Sequence, residues 1–263
     1  MDVVADLHVH TTVSDGRLEL STLPDAARRA GVETVVVTDH DRIHPGLAAP
    51  VTVRDGVTVI RGVELRVDAG DQRLDLLGYG VRPTPSLRAE LDRIQRDRVD
   101  RARRMVDCVE TRLGVSLDVA LEAGVGRPHV ARAVAESDAD YDFDDAFDRL
   151  IGDDGPCYVS RAVPSADRGI DLLCEASAVV SLAHPFRYPD PDAALDLAAR
   201  LDAVERYYPY GRPVDEARID RVLDDDDLLA TGGSDAHDLS LGVAGLDREA
   251  YDRFASRLPD AQG

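Results

Sequence analysis

Uninterrupted apolar runs recur along this chain, separated by amphipathic stretches, and several of them end on a histidine or a carboxylate. Val3-Val4-Ala5-Asp6-Leu7 leads into His8-Val9-His10, and Thr34-Val35-Val36-Val37 leads into Asp39-His40-Asp41. A strand apolar on both faces must be covered on both, which a parallel sheet flanked by helices achieves. Helical periodicity over residues 21–30, closed by Gly31, separates these two runs. The chain therefore predicts an α/β fold with a mainly parallel sheet. Starting at Val3, Glu33, Val57, Leu74, Ala178, Ala203 and Leu228, seven strands alternate with helices over residues 166–176, 192–201, 214–223 and 248–258. Seven parallel-type strands suit an irregular, TIM-like (β/α)7 barrel better than an open sheet. In such a barrel the C-terminal strand ends share one face, and His8, His40, Glu64, His184 and Asp235 all sit at or just beyond a predicted end.

The middle of the chain breaks this alternation. Residues 86–112 carry a helical apolar stripe through Leu87, Leu91, Ile94, Val99, Ala102, Met105, Val106 and Val109. Shorter helices are expected over 117–123, 128–136 and 142–151, with no strand between them. The expected organisation is a discontinuous barrel domain, 1–83 and 164–263, interrupted by a helical insertion, 84–163, that serves as a substrate lid.

Hydrophobic residues make up 44% of the chain, enough for a sizeable core. No apolar stretch is long enough to span a bilayer and no signal-peptide layout is seen, so a cytoplasmic location is expected. The 51 acidic residues outnumber 31 basic ones, a formal net charge of −20, and every basic residue is arginine. Self-repulsion of that size points to an enzyme working in high salt, where the Debye length shrinks to roughly 3 Å. Cys108, Cys157 and Cys174 are far apart and odd in number, and are expected as buried reduced thiols.

His8 and His10 alternate along a strand and so project from one face. Asp235-Ala236-His237 repeats that spacing after Gly232-Gly233, where the backbone can approach a neighbour closely. With His40, His184 and Glu64, these nitrogen and oxygen donors are what a multinuclear metal site requires. The expected class is a metal-dependent hydrolase. Arg127, Arg149 and Arg187 are candidate phosphate clamps, because a guanidinium grips phosphate through two N–H bonds. His129 is a candidate to contact phosphate or protonate the leaving oxygen, or else makes a structural bond at a helix start. Asp39 and Asp41 are expected to orient a ligating imidazole. His44 is expected at the surface, and Arg66 as solvated or salt-bridged. Tyr207, Tyr208 and Tyr210 stack a base or pack in the core or rim.

Asp-Leu-His-Val-His-Thr, Ser-Asp-Gly, Val-Thr-Asp-His-Asp, Gly-Val-Glu, Ala-His-Pro and Ser-Asp-Ala-His together resemble the motifs of the polymerase and histidinol phosphatase (PHP) family. Gly-Arg-Pro-His-Val-Ala-Arg and Ala-His-Pro-Phe-Arg-Tyr resemble its nucleoside 3′,5′-bisphosphate phosphatase and 5′–3′ oligonucleotide exonuclease branch. The resemblance implies a distorted seven-stranded barrel holding two or three divalent metal ions, Mn²⁺ first and Zn²⁺ or Fe²⁺ as alternatives. It implies that His8, His10, Glu64 and Asp235 hold one ion, that Glu64 bridges to a second on His184, and that Asp15, His40 and His237 hold a third. Asp75 stands where the family often has histidine, and is expected to supply an oxygen ligand to the second site. Glu64, Asp235 and His129 are the implied catalytic residues. Implied substrates are nucleoside 3′,5′-bisphosphates or 5′-phosphorylated oligonucleotides, attacked by a metal-activated hydroxide. The alternatives are a histidinol-phosphate-type phosphatase and a non-catalytic, metal-stabilised module. No membrane and no obligate protein partner is expected.

Overall fold

Eight strands form one sheet: β1 (Ala5–Val9), β2 (Thr34–Val37), β3 (Val51–Arg54), β4 (Val57–Asp68), β5 (Arg73–Tyr79), β6 (Val179–Leu182), β7 (Ala203–Tyr207) and β8 (Leu229–Gly232). The computed structural model describes residues 2–261. Strand order is β1-β2-β4-β5-β6-β7-β8, with β3 off this path and paired to β4. The sheet is curled into a half-barrel. At its two ends Val9 of β1 bridges Ala236, just past β8, and Ala5 bridges Leu246.

Two features depart from seven parallel strands. The run β1, β2, β4 is parallel, as is β6, β7, β8, but β5 is antiparallel to both its neighbours. The segment joining β4 to β5 is too short for a helical crossover, so the chain must reverse as a hairpin. As a result Asp75, near the start of β5, lies at the same edge as Ala183, whose N–H donates to its carbonyl at 3.0 Å. The second feature is β3, an added strand joined to β4 through Asp55 and Gly56. These sit at φ 47° and 81°, the left-handed pair that a two-residue hairpin needs. β4 also continues past its expected end at residue 61 to Asp68, which places Glu64 inside a strand.

Alternation, broken in β1 by a register shift between Asp6 and Val9, sorts the strand residues into two apolar layers. Ala5, Leu7, Val36, Ile60, Leu77, Tyr79, Ala203 and Phe254 pack in one buried cluster. Val9, Val35, Val37, Val57 and Val59 face the other way, against Leu18, Leu23, Ala26 and Ala27. α1 (Leu23–Ala30) supplies the last three, carries Pro24 in its first turn, and ends at Gly31 with φ 75°, whose N–H caps Ala27 and Arg28. The return helices of the second half start on capping side chains. Ser165 and Asp190 accept from the third backbone N–H ahead at the starts of the helices Ala166–Ala176 and Pro191–Ala198, and Asp247 does so before Arg248–Ala255.

The chain divides into two compact units: one made of the residues up to Ala89 together with Val163 onward, the other Glu90–Ala162. The second is helical, built on most of α2 (Pro85–Leu113), with α3 (Arg127–Ala135), α4 (Phe143–Ala146) and a π-helical turn Phe147–Ile151. Its core is Met105, Val106, Val109, Val130, Val134, Leu150, Ile151 and Cys157. The helix expected over 117–123 is absent: the N–H groups of Leu117 and Gly124 are taken by Glu110 and Gln95 of α2 instead. The cysteines also depart from expectation. Cys108 and Cys157, separated by 49 residues, form a disulfide, and Cys174 is exposed. No helix among the described residues is long and apolar enough to cross a membrane.

Candidate metal centre

His8 and His10 both project from β1 into the curl of the sheet and are fully buried. Asp15 follows on a loop held by Asp39, whose carboxylate accepts from the Thr11 N–H, the Thr11 hydroxyl and the Ser14 hydroxyl. Gly16 lets that loop fold back, since a Cβ there would meet the His10 carbonyl at 2.3 Å. His40 lies just past β2 and bridges to Glu64 in β4. His184 follows β6, and Asp235 and His237 follow β8. Gly233 allows that last crossing, because a side chain there would strike the His8 backbone nitrogen at 2.4 Å. Asp41, His184 and Asp235 all have positive φ (50°, 28° and 51°), a conformation non-glycine residues hold only when their surroundings impose it.

The Glu64 carboxylate is the hub. Its Oε1 lies 3.5 Å from His8 Nε2 and 3.2 Å from His184 Nε2, and its Oε2 lies 3.4 Å from His10 Nε2 and 2.6 Å from His40 Nδ1. Asp235 Oδ1 is 3.4 Å from His8 Nε2 and 3.2 Å from His10 Nε2. Asp15 stands 3.9 Å from His40 Nε2 and 3.5 Å from His237 Nε2. Donor atoms converge within 4.8 Å in three groups: His8, Glu64 and His184; His8, His10 and Asp235; and His10, Asp15, His40 and His237. Asp75 falls outside all three. Its two oxygens are bound by Arg66 Nε and Nη2 at 2.7 and 2.5 Å, with Oδ2 3.9 Å from His184 Nε2.

The side chains behind these donors show what the groups are fitted to hold. Glu205, fully buried on β7, takes His8 Nδ1 on Oε1 at 3.0 Å and the His184 backbone N–H on Oε2 at 2.7 Å. A proton on Nδ1 leaves His8 Nε2 as a lone pair aimed at carboxylate oxygens, an arrangement that is repulsive unless a cation lies among them. His8 Nε2, both ring nitrogens of His10 and Asp15 Oδ1 are buried without hydrogen-bond partners. Donors of this hardness suit divalent ions such as Mn²⁺, Fe²⁺ or Zn²⁺. The residues fit such ions.

Titration in this cluster follows the same electrostatics. Burial alone raises the carboxyls of Glu64 and Asp15, yet the neighbouring imidazoles, His40 foremost, hold both well below the usual carboxylate range. Asp235 is likewise held down, against burial, by His8 and His10. Burial pushes His8 down, but Glu205, Asp235 and Glu64 lift it well above 6.5. Burial opposes protonation of His237 too, and Asp15 outweighs it, raising that imidazole to about 9. His10, buried beside His40 and His237, is lowered. Without metal, protons supply part of the missing positive charge.

Other expected site residues are more scattered. Arg187, about half exposed, donates to Asp235 Oδ2 at 3.0 Å and to the Tyr208 hydroxyl at 2.8 Å, and Tyr208 itself donates to Asp235 Oδ2 at 2.8 Å. Tyr208 thus braces a donor carboxylate. Within the helical unit, Arg127 pairs with Asp153 at 2.7 Å beside the Phe147 and Tyr158 rings. His129 Nδ1 accepts the Gly126 N–H at the start of α3. Arg149 lies near Asp145 and Tyr141. Two expectations need correction. Asp39 holds the backbone and hydroxyl groups of Thr11 and Ser14 and not an imidazole, while Asp41 accepts from the Arg66 N–H and Glu205 is a carboxylate that orients an imidazole. His44 is buried at 8% exposure, its Nδ1 accepting from Gly46. Glu205 was visible in sequence only as an acidic residue inside the otherwise apolar Ala203-Val204 run.

A curled α/β sheet that gathers imidazoles and carboxylates around one shared glutamate defines a metal-dependent phosphoesterase when set beside its relatives. A 3′,5′-nucleoside bisphosphate phosphatase from Chromobacterium violaceum is 30% identical over 259 residues, covering 88% of this chain and 86% of its own length. A phosphoribosyl 1,2-cyclic phosphate 1,2-diphosphodiesterase from Eggerthella lenta is 29% identical, covering 89% and 94%. A 5′-3′ exoribonuclease from Salmonella typhimurium is 27% identical, covering 89% and 85%. Among solved structures, a Bifidobacterium adolescentis protein assigned as a metal-dependent phosphoesterase superposes with a TM-score of 0.81 at 24% identity over 97% of this chain and 96% of its own, which establishes the shared fold. No protein-family profile matches the chain. It belongs to the PHP family of metal-dependent phosphoesterases.

Proposed function

We propose that this phosphoesterase hydrolyses phosphate esters of small nucleotides, namely nucleoside 3′,5′-bisphosphates or 5′-phosphorylated oligonucleotides. The observation that carries the reading is the Glu64 carboxylate set among His8, His10, His40 and His184, with Asp235 completing the circle. The relatives named for bisphosphate and oligoribonucleotide substrates supply the substrate class.

His8, His10, Glu64 and Asp235 would hold one divalent ion, Glu64 and His184 a second, and Asp15, His40 and His237 a third, with Mn²⁺ the first choice. When bound, such ions supply Lewis-acid charge for phosphoryl oxygens and acidify a water. The chain's own residues do the positioning. Glu205 sets the His8 tautomer and holds the backbone of His184. Tyr208 and Arg187 occupy Asp235 Oδ2, leaving Oδ1 toward the imidazoles. Arg187, half exposed and already beside a donor carboxylate, is a phosphate-gripping side chain of the first unit. Arg127, His129 and Arg149 are assigned to substrate binding, with His129 as the proton donor to the leaving oxygen. The Val9–Ala236 and Ala5–Leu246 bridges support closure of the curled sheet as a distorted barrel.

The test is turnover of a nucleoside 3′,5′-bisphosphate, a 5′-phosphorylated oligonucleotide, histidinol phosphate and a generic aryl phosphate by Mn²⁺-loaded protein in molar KCl. The nucleotide reading expects a strong preference in kcat/KM for the first two. Comparable turnover of all four, or a preference for histidinol phosphate, refutes it. Glu64→Gln and Asp235→Asn should each lose both metal and turnover. Full metal occupancy in the wild type with no hydrolysis of any ester would favour a scaffold instead.

A further inference from the structure

We infer that Arg66, held by Asp75, is a phosphate-binding residue of the active site, and that Asp75 positions this arginine and does not ligate metal. The assignment rests on the phosphoesterase reading for the nature of the anion and on the following geometry for everything else.

Arg66 and Glu64 are two residues apart on β4 and therefore project to the same face. Asp75 is the direct cross-strand partner of Arg66 in the antiparallel β4–β5 ladder, the register at which side chains of opposite charge meet. The pair is bidentate: Nε reaches Oδ1 at 2.7 Å and Nη2 reaches Oδ2 at 2.5 Å. Both carboxylate oxygens are thereby engaged. Asp75 is itself buried at 1% exposure and pinned through its backbone, its N–H donating to the Tyr188 hydroxyl at 2.8 Å. The Tyr188 ring in turn lies 5.5 Å from that of His184.

The guanidinium neutralises the charge on this carboxylate and occupies a lone pair on each oxygen, which weakens Asp75 as a metal ligand. Asp75 Oδ2 is 3.9 Å from His184 Nε2 and lies outside the three donor groups. The fork uses one edge of the guanidinium. Nη1 makes no hydrogen bond to any described residue, and the side chain keeps about a third of its surface exposed, at 34%. A cation clamped on one edge by a buried anion, with its other edge open, and set two residues along β4 from Glu64, is oriented in advance to grip an anionic oxygen. Arg187, on the Asp235 side, and Arg66, on the Asp75 side, then provide two guanidinium contacts for one phosphoryl group or for two phosphates of one substrate.

The experiment separates metal binding from anion binding. Metal per chain is measured after Mn²⁺ loading and desalting, for wild type, Asp75→Asn, Arg66→Lys and Arg66→Met, with Glu64→Gln as the variant that loses metal. Inorganic phosphate affinity of the same Mn²⁺-loaded proteins is measured by calorimetry, which needs no turnover. Asp75→Asn should keep the wild-type metal content, and loss of one equivalent overturns the assignment. Arg66→Met should weaken phosphate binding by about tenfold or more, the loss of a charged hydrogen bond. Arg66→Lys keeps the ion pair and so the fold, but not the planar second edge, and should weaken phosphate binding without loss of metal. Phosphate affinity unchanged in both arginine variants overturns the proposal. Failure of the nucleotide reading shows separately, as absent nucleotide preference in a wild type that still binds phosphate.

Discussion

Glu205 shows how one side chain couples two donor groups. It fixes the His8 tautomer through Oε1 and restrains the left-handed backbone of His184 through Oε2. Glu205→Gln conserves size but weakens both contacts, so Mn²⁺ affinity should fall about 10- to 100-fold, read by competition with a chelating dye. An unchanged affinity would show that the imidazoles are held by packing alone. The raised His8 and His237 predict a pH effect with a definite sign. A group whose folded pKa lies above its unfolded value near 6.5 contributes stability below that value and loses it as pH rises through the folded one, which for His237 is about 9. Metal-stripped protein should therefore lose part of its thermal stability between these limits, and Mn²⁺ should raise Tm more at the alkaline end, where protons no longer compete. Equal Mn²⁺ stabilisation at both ends would contradict this.

At the scale of elements, the loop after β8 crosses β1 at Gly233 with no room for a methyl group. Gly233→Ala should cost about 1–3 kcal/mol through overpacking, and should also weaken metal binding because Asp235 and His237 follow immediately. Thermal unfolding together with metal titration checks both. The elements themselves were largely legible, since apolar strand runs and capped helices are written in adjacent residues. Two were not. β3 carried its signal in Asp55-Gly56 between alternating Val and Thr residues, and its single strand of four residues was too short to stand out. The reversal of β5 depends on how β4 extends to Asp68 and folds back, a matter of pairing partners that no local pattern reports.

For the molecule as a whole, the −20 charge carried without lysine predicts that screening stabilises the fold. Tm should rise from dilute buffer to molar KCl; a Tm that ignores salt would remove the high-salt reading. The disulfide joining Cys108 to Cys157 closes a long loop in the helical unit. Its reduction should destabilise that unit by about 2–4 kcal/mol, seen as an earlier transition in reducing buffer. The spacing of the cysteines concealed this pair because loop closure depends on where α2 and the segment after the π-helical turn meet.

Sequence alone determined which donors the chain offers and that most of them sit near strand ends, Glu64 being the one that lies well inside a strand, because metal chemistry needs particular residue types at short, local spacings such as His8-x-His10 and Asp235-x-His237. Only the tertiary structure decided what those donors lean on. His8 meets Glu205 across 197 residues, and Asp75 meets Arg66 rather than the imidazoles because an antiparallel register sets them opposite. Such contacts follow from chain direction and packing in three dimensions, and a short motif carries no record of either.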